Sequence, residues 1–206
     1  MENITWLGHS SILIEKEGHN IYIDPWKIKT GGNKADIILI THSHHDHFSP
    51  EDINKITGKD TVIAGPSDTL EKIQVGDKRP FVPGNEADLG WVKIAGVPAY
   101  NVNKSFHPKA NMWLGFLIKF PEASIYIAGD TDFIPEMNQI RADIAILPVG
   151  GTYTMDAEEA AHAVNIIHPG VAIPVHFGDT VGSKADAEKF ASLVKSAQVK
   201  ILSPER

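Results

Sequence analysis

The chain has 206 residues, a size that suits one domain or two intimately packed halves and can bury a sizeable core. It contains no cysteine, which excludes disulfides, thiolate metal sites, iron–sulfur clusters and cysteine nucleophiles. A formal net charge of −7 argues against a broad surface for DNA, RNA or an anionic membrane, though not against a phosphate-bearing substrate met by a bound cation.

Ile4-Thr5-Trp6-Leu7 and Ser11-Ile12-Leu13-Ile14-Glu15 read as strands. Glu17 to Asn20 forms a turn, and Ile21-Tyr22-Ile23 pairs back as the next strand. The Gly31-Gly32 pair reads as a loop, and Ile37 to Ile40 as a strand buried on both faces. Ser49 can cap a short helix starting Pro50-Glu51-Asp52-Ile53, with proline in its first turn. Thr61 to Ala64 is a strand and Pro66 to Ile73 a helix, and Trp91 to Ala99 and Trp113 to Phe120 are longer strands. The second half then repeats the logic of the first. Ser124-Ile125-Tyr126-Ile127 echoes Asn20-Ile21-Tyr22-Ile23, and both runs lead into an aspartate turn. Ile144 to Val149 is a buried strand, and Asp156 with Glu159 forms a capping box for a helix that stops before His168-Pro169-Gly170. Val171 to Val175 is a strand, Lys184 to Ala197 the last helix and Val199 to Leu202 a final strand.

No linker separates two domains, so one α/β domain of two sheets packed face to face with helices outside is expected. No stretch approaches a membrane-spanning length. Met1-Glu2-Asn3-Ile4 carries an acid and lacks the pattern of a signal peptide, so a cytoplasmic location is expected.

The chemistry concentrates in Thr41-His42-Ser43-His44-His45-Asp46-His47, straight after the buried run ending at Ile40. Four imidazole and carboxylate groups in one turn repel or lose hydration unless they share a partner, and a metal ion is that partner. Imidazole with carboxylate suits zinc, manganese or iron. Alternate residues of extended chain point the same way, so His42 and His44 can grip one ion, while Asp46 and His47, past the turn, can face a second.

This HxHxDH run resembles the signature of the metallo-β-lactamase superfamily. The opening Gly8-His9-Ser10 and Ile23-Asp24-Pro25, and the later Gly129-Asp130-Thr131-Asp132 and Val175-His176-Phe177-Gly178, are similar to the small metal-dependent hydrolase branch of that superfamily, which includes lactonase-like members. The resemblance implies the metallo-β-lactamase-type αββα sandwich. It implies two divalent ions, zinc first, with manganese or iron(II) as alternatives. His42 and His44 would bind one ion with a mid-chain histidine, Asp46 and His47 the other with His176, and Asp130 would bridge them. Asp46 would also orient the attacking water and relay a proton, and with Asp130, which would hold the ions at their spacing, it makes the expected catalytic pair. Many relatives carry the mid-chain histidine where Asn101 stands here. His107, a few residues on, is the better donor and is expected to take the place.

Asp24 is expected behind a ligand histidine, where such carboxylates orient the ring. His9 is divided between a satisfied core residue and a contact to substrate or to the metal ligands, and Asp132 between support and capping a turn. Tyr153, in a glycine-bearing loop, can donate to an oxyanion. Lys104 and Lys109 flank His107 and are either solvated or an attraction for an anionic substrate. His19, His45, His162 and His168 are expected outside the site. The expected function is metal-assisted hydrolysis of a small ester, lactone or phosphodiester that can be anionic. The alternatives are a small-molecule phosphodiesterase or a non-catalytic metal-binding protein on the same fold. Neither nucleic acid nor membrane is expected as a partner, and a homo-oligomer stays open.

Overall fold

In the computed structural model, residues 3–29 and 32–205 are described. Met1, Glu2, Thr30, Gly31 and Arg206 lie outside them, and with them the start of the N-terminal expectation and half of the Gly31-Gly32 loop. The chain forms two compact units, residues 1–81 with 203–206, and residues 82–202.

The first unit is a six-stranded sheet in chain order: β1 (Asn3–Gly8), β2 (Ser11–Lys16), β3 (His19–Ile23), β4 (Ala35–Leu39), β5 (Thr57–Gly65) and β6 (Asp77–Pro80). β1 to β3 run antiparallel, and each step from β3 to β6 is parallel. Parallel neighbours need crossovers, and α1 (Pro50–Ile56) and the short α2 (Ser67–Leu70) supply two of them. Ile37, Ile38 and Leu39 are all buried, as a continuous apolar run in a central strand requires. α1 starts as the sequence dictates: the Ser49 side chain accepts from the Asp52 backbone N–H at 3.2 Å, with Pro50 in the first turn. Its Ile53 and Ile56 join Tyr22, Ile38, Ile40, Phe48 and Ile63 in one apolar cluster.

The second unit repeats the plan with one more strand. Its sheet runs β7 (Glu86–Asp88), β8 (Lys93–Pro98), β9 (Leu114–Lys119), β10 (Ser124–Ile127), β11 (Ile144–Pro148), β12 (Val171–Val175) and β13 (Gln198–Val199). β7 to β10 are antiparallel and β10 to β13 parallel. β10 thus matches β3, and each is followed by its aspartate turn. α3 (Ala157–Ile167) crosses from β11 to β12 and α4 (Lys184–Leu193) from β12 to β13. Asp156 caps α3 by accepting from the Glu158 and Glu159 backbone, each at 2.9 Å, and Glu159 accepts from the Asp156 backbone.

Several boundaries differ from the sequence reading. The helix expected over Pro66 to Ile73 shortens to Ser67–Leu70, and the last helix stops at Leu193 because Val194 turns to extended backbone. The final strand pairs only over Gln198–Val199. β6 and β7 were not expected: they are short, polar edge strands with no apolar alternation to announce them.

Candidate metal centre

In both units the candidate residues follow strand ends. In the first unit Asp24 follows β3, and its backbone N–H donates to the Leu39 carbonyl at 2.9 Å. Its side chain is buried and is an acceptor only. One carboxylate oxygen, Oδ1, takes the Thr41 backbone N–H at 2.8 Å. The other, Oδ2, takes the Thr41 hydroxyl at 2.6 Å and His47 Nδ1 at 2.7 Å. Three donors on one buried carboxylate fix the protons around it. His47 must carry its proton on Nδ1, which leaves the lone pair on Nε2. The Thr41 hydroxyl spends its proton on Asp24, so its lone pair faces His42 Nδ1 at 2.9 Å, and that nitrogen must donate. His42 therefore also presents a lone pair at Nε2, 3.0 Å from His44 Nδ1. The nitrogens of His42 and His44 share either a proton or a cation. Ligand atoms of Asp24, His42 and His47 all lie within 4.8 Å of one another.

His9, fully buried after β1, lies with Nε2 3.1 Å from the Asp46 Oδ2 carboxylate oxygen, so Nε2 is the donor. Burial pushes the Asp46 carboxyl up. The hydrogen bond from His9 and the nearby His47 and His9 rings outweigh burial and hold the group well below the ordinary carboxylate range. His9 thus stands behind Asp46 as Asp24 stands behind His47. His45 is exposed, and His19, half exposed, lies 3.2 Å from Asp36.

In the second unit one oxygen of the buried Asp130, Oδ2, lies 3.1 Å from His176 Nε2 and 3.3 Å from His107 Nε2. His107, Asp130 and His176 therefore converge. Asn101 does not project beside them as a ligand. Its side-chain oxygen accepts from the His107 backbone N–H at 2.9 Å and lies 3.0 Å from His107 Nδ1. His176 sits in left-handed backbone, φ 61°, and Gly150 at the end of β11 lies against it.

Asp132 is buried and accepts from the Asn101 amide at 3.0 Å, the Val102 backbone at 2.9 Å and Lys104. Lys104 also donates to the Thr154 carbonyl at 3.0 Å, so it is neither a solvated lysine nor a ready anion trap, because its charge is committed to Asp132. Lys109 pairs with Glu136 at 2.9 Å. The Tyr153 ring packs edge-on against Phe106, and its carbonyl accepts from Asn101 at 2.9 Å. His162 is exposed beside Phe133, and His168 ends α3 in left-handed backbone. The roles of Thr41 and Asn101 were missed by sequence reading. A hydroxyl or amide carries no ligand signal of its own, and each matters only through the ring it touches.

Imidazole nitrogens and carboxylate oxygens, with protons fixed on the far side of the rings, fit a divalent cation of the zinc, manganese or iron class. Among the described residues no helix is long and apolar enough to cross a membrane.

Comparison with known proteins agrees with this chemistry. A family profile described as a beta-lactamase superfamily domain matches residues 3–176. A metal-dependent hydrolase of Caldivirga maquilingensis is 33% identical, across 95% of this chain and 91% of its own. Among solved structures, a proposed metal-dependent hydrolase from Parabacteroides distasonis superposes with a TM-score of 0.88 at 34% identity, covering 98% of this chain and 94% of that one. A metallo hydrolase from the archaeon Ignicoccus hospitalis gives 0.79 at 27% identity, covering 100% and 96%. With its two mixed sheets and its histidine–aspartate motifs, the chain belongs to the metallo-β-lactamase superfamily, among its metal-dependent hydrolases.

Proposed function

We propose that the chain hydrolyses a small ester, lactone or phosphodiester with two divalent ions, zinc foremost. His42, His44 and His107 would hold one ion, Asp46, His47 and His176 the other, and Asp130 would serve both. The observation that carries this reading is the proton pattern. Asp24 and Thr41 fix protons on the Nδ1 atoms of His47 and His42, so both rings offer lone pairs at Nε2. Two further Nε2 atoms lie against a single oxygen of Asp130. Held by these residues, two cations would supply a water acidified towards neutrality and a sink for the negative charge that develops on the substrate. The residues then have simple tasks. Asp46, held by His9 through Oδ2, orients the water by accepting its proton in a hydrogen bond. Asp24 keeps the His47 ring in one tautomer and one orientation.

The test is metal analysis of the purified protein with a turnover screen of lactones against phosphodiesters. About two equivalents of zinc, manganese or iron are expected, and Asp130→Asn should lower turnover at least ~100-fold. Unchanged turnover in that variant would remove the site assignment. The preferred substrate class in the screen decides between the lactonase and phosphodiesterase forms of the proposal.

A further inference from the structure

The Asn101 amide can be oriented without ambiguity. One end lies 3.0 Å from an Asp132 carboxylate oxygen and 2.9 Å from the Tyr153 carbonyl, both acceptors only, so that end is the NH2 group. The other end receives the His107 backbone N–H at 2.9 Å, a donor only, so that end is the oxygen. An amide oxygen can only accept. His107 Nδ1, 3.0 Å from it, must therefore carry a proton, and the lone pair of a neutral ring falls on Nε2. That Nε2 faces Asp130 at 3.3 Å. Lone pair against carboxylate is unfavourable unless a cation lies between or the ring takes a second proton.

We infer that Asn101 is a positioning residue that fixes the tautomer and direction of His107, backed by Asp132 and Lys104. This rests on His107 being a metal ligand, as proposed above. In the first unit a charged carboxylate, Asp24, stands directly behind His47. In the second, a neutral amide stands behind His107 and the charge is moved one residue further out, to Asp132, where Lys104 compensates it. A carboxylate raises the basicity of the ring it supports more than an amide does. His107 is therefore the weaker donor, and the ion it helps to hold should be the first to leave on titration with a chelator.

The test is long-range 1H–15N NMR of the histidine rings in the metal-free protein at about pH 8.5, roughly two units above the ordinary histidine pKa. His107 should show its proton on Nδ1. Asn101→Leu, which removes the acceptor, should move it to Nε2 and weaken uptake of one zinc ion about 10- to 100-fold. Asn101→Asp, which keeps an acceptor, should retain the Nδ1 proton. A His107 Nδ1 without a proton in the parent protein overturns the assignment even if the variants do not fold, as does a retained Nδ1 proton in Asn101→Leu. The ligand reading fails differently. Zinc uptake undiminished in His107→Ala, with the Nδ1 proton in place in the parent protein, would overturn the role of His107 as a ligand, whereas a bare Nδ1 in the parent protein overturns the role of Asn101 alone.

Discussion

Asp24→Asn exchanges one oxygen for an NH2 group with almost no change of shape, and the three donors around Asp24 allow only two outcomes. If the amide oxygen takes the position that serves the Thr41 hydroxyl and His47, the NH2 group meets the Thr41 backbone N–H, 2.8 Å away in the wild type. That is a buried donor against a donor, costing about 1–3 kcal/mol. If the amide turns over, the NH2 group meets the Thr41 hydroxyl and His47 Nδ1, formerly at 2.6 and 2.7 Å. Every bond can then be made, but only by reversing protons: His47 moves its own to Nε2, and the Thr41 hydroxyl turns to donate to His42 Nδ1, which sends the His42 proton to Nε2 as well. Both lone pairs then point away from the metal side. An amide in place of a carboxylate selecting the wrong tautomer is a known route to lost activity in a buried histidine pair. Loss of a supporting carboxylate lowers metal affinity about 10- to 100-fold, or about 1.4–2.7 kcal/mol. The variant should therefore lose either stability or zinc affinity on this scale. Urea unfolding and competition with a chromophoric chelator measure the two. A variant that keeps zinc affinity within about threefold (~0.6 kcal/mol) and wild-type stability would refute the proton assignment.

Two further substitutions probe other supports of the same turns. A Cβ at Gly150 would sit 2.5 Å from the His176 carbonyl oxygen and 3.0 Å from its Nδ1, so Gly150→Ala should cost about 1–3 kcal/mol in thermal unfolding and weaken zinc binding; a neutral result would mean His176 can move freely. Asp52 is buried and accepts from the Lys27 and Ile28 backbone at 2.8 and 3.1 Å, which ties the segment after Asp24 to α1. Burial raises its carboxyl, but the bonds from Lys55, Ser49 and Lys27 outweigh it and lower the group below 3.8. Its stabilisation is therefore fully present above that ordinary value and is lost as pH falls through the lower, folded-state pKa. Asp52→Asn should destabilise the protein by about 1–3 kcal/mol at neutral pH, with the gap closing in acid; a pH-independent gap would argue against the charge.

The sequence was most legible where one signal sufficed. Ile37 to Ile40 and Ile144 to Val149 are apolar without alternation, fall in and just after β4 and β11, and are closed to solvent. Ser49 and Asp156 lie beside the backbone they cap, so both helix starts could be read locally. The HxHxDH run is likewise local. What could not be read depends on distance along the chain. His9 finds Asp46 37 residues away, and Asn101 finds Asp132 and Tyr153 31 and 52 residues away. Lys104 looked like surface because lysine usually is, and only the fold brings it to a buried acid. The polar strands β6 and β7 owe their pairing to the neighbouring strand rather than to their own residues.

Among the described residues, seven other than glycine hold the left-handed backbone that glycine adopts most cheaply: His9, Glu17, Asp24, Lys27, Met112, His168 and His176. Four of them, Glu17, Lys27, Met112 and His168, are exposed. There, glycine would release about 1 kcal/mol at little expense, so neutral drift or selection for heat resistance is free to install it. His9, Asp24 and His176 are sealed inside, and a glycine would exchange that small relief for a void and for lost partners. Mutational libraries should accordingly divide these seven turns into two populations, one permissive and one frozen, and the frozen turns are the ones that carry candidate site residues.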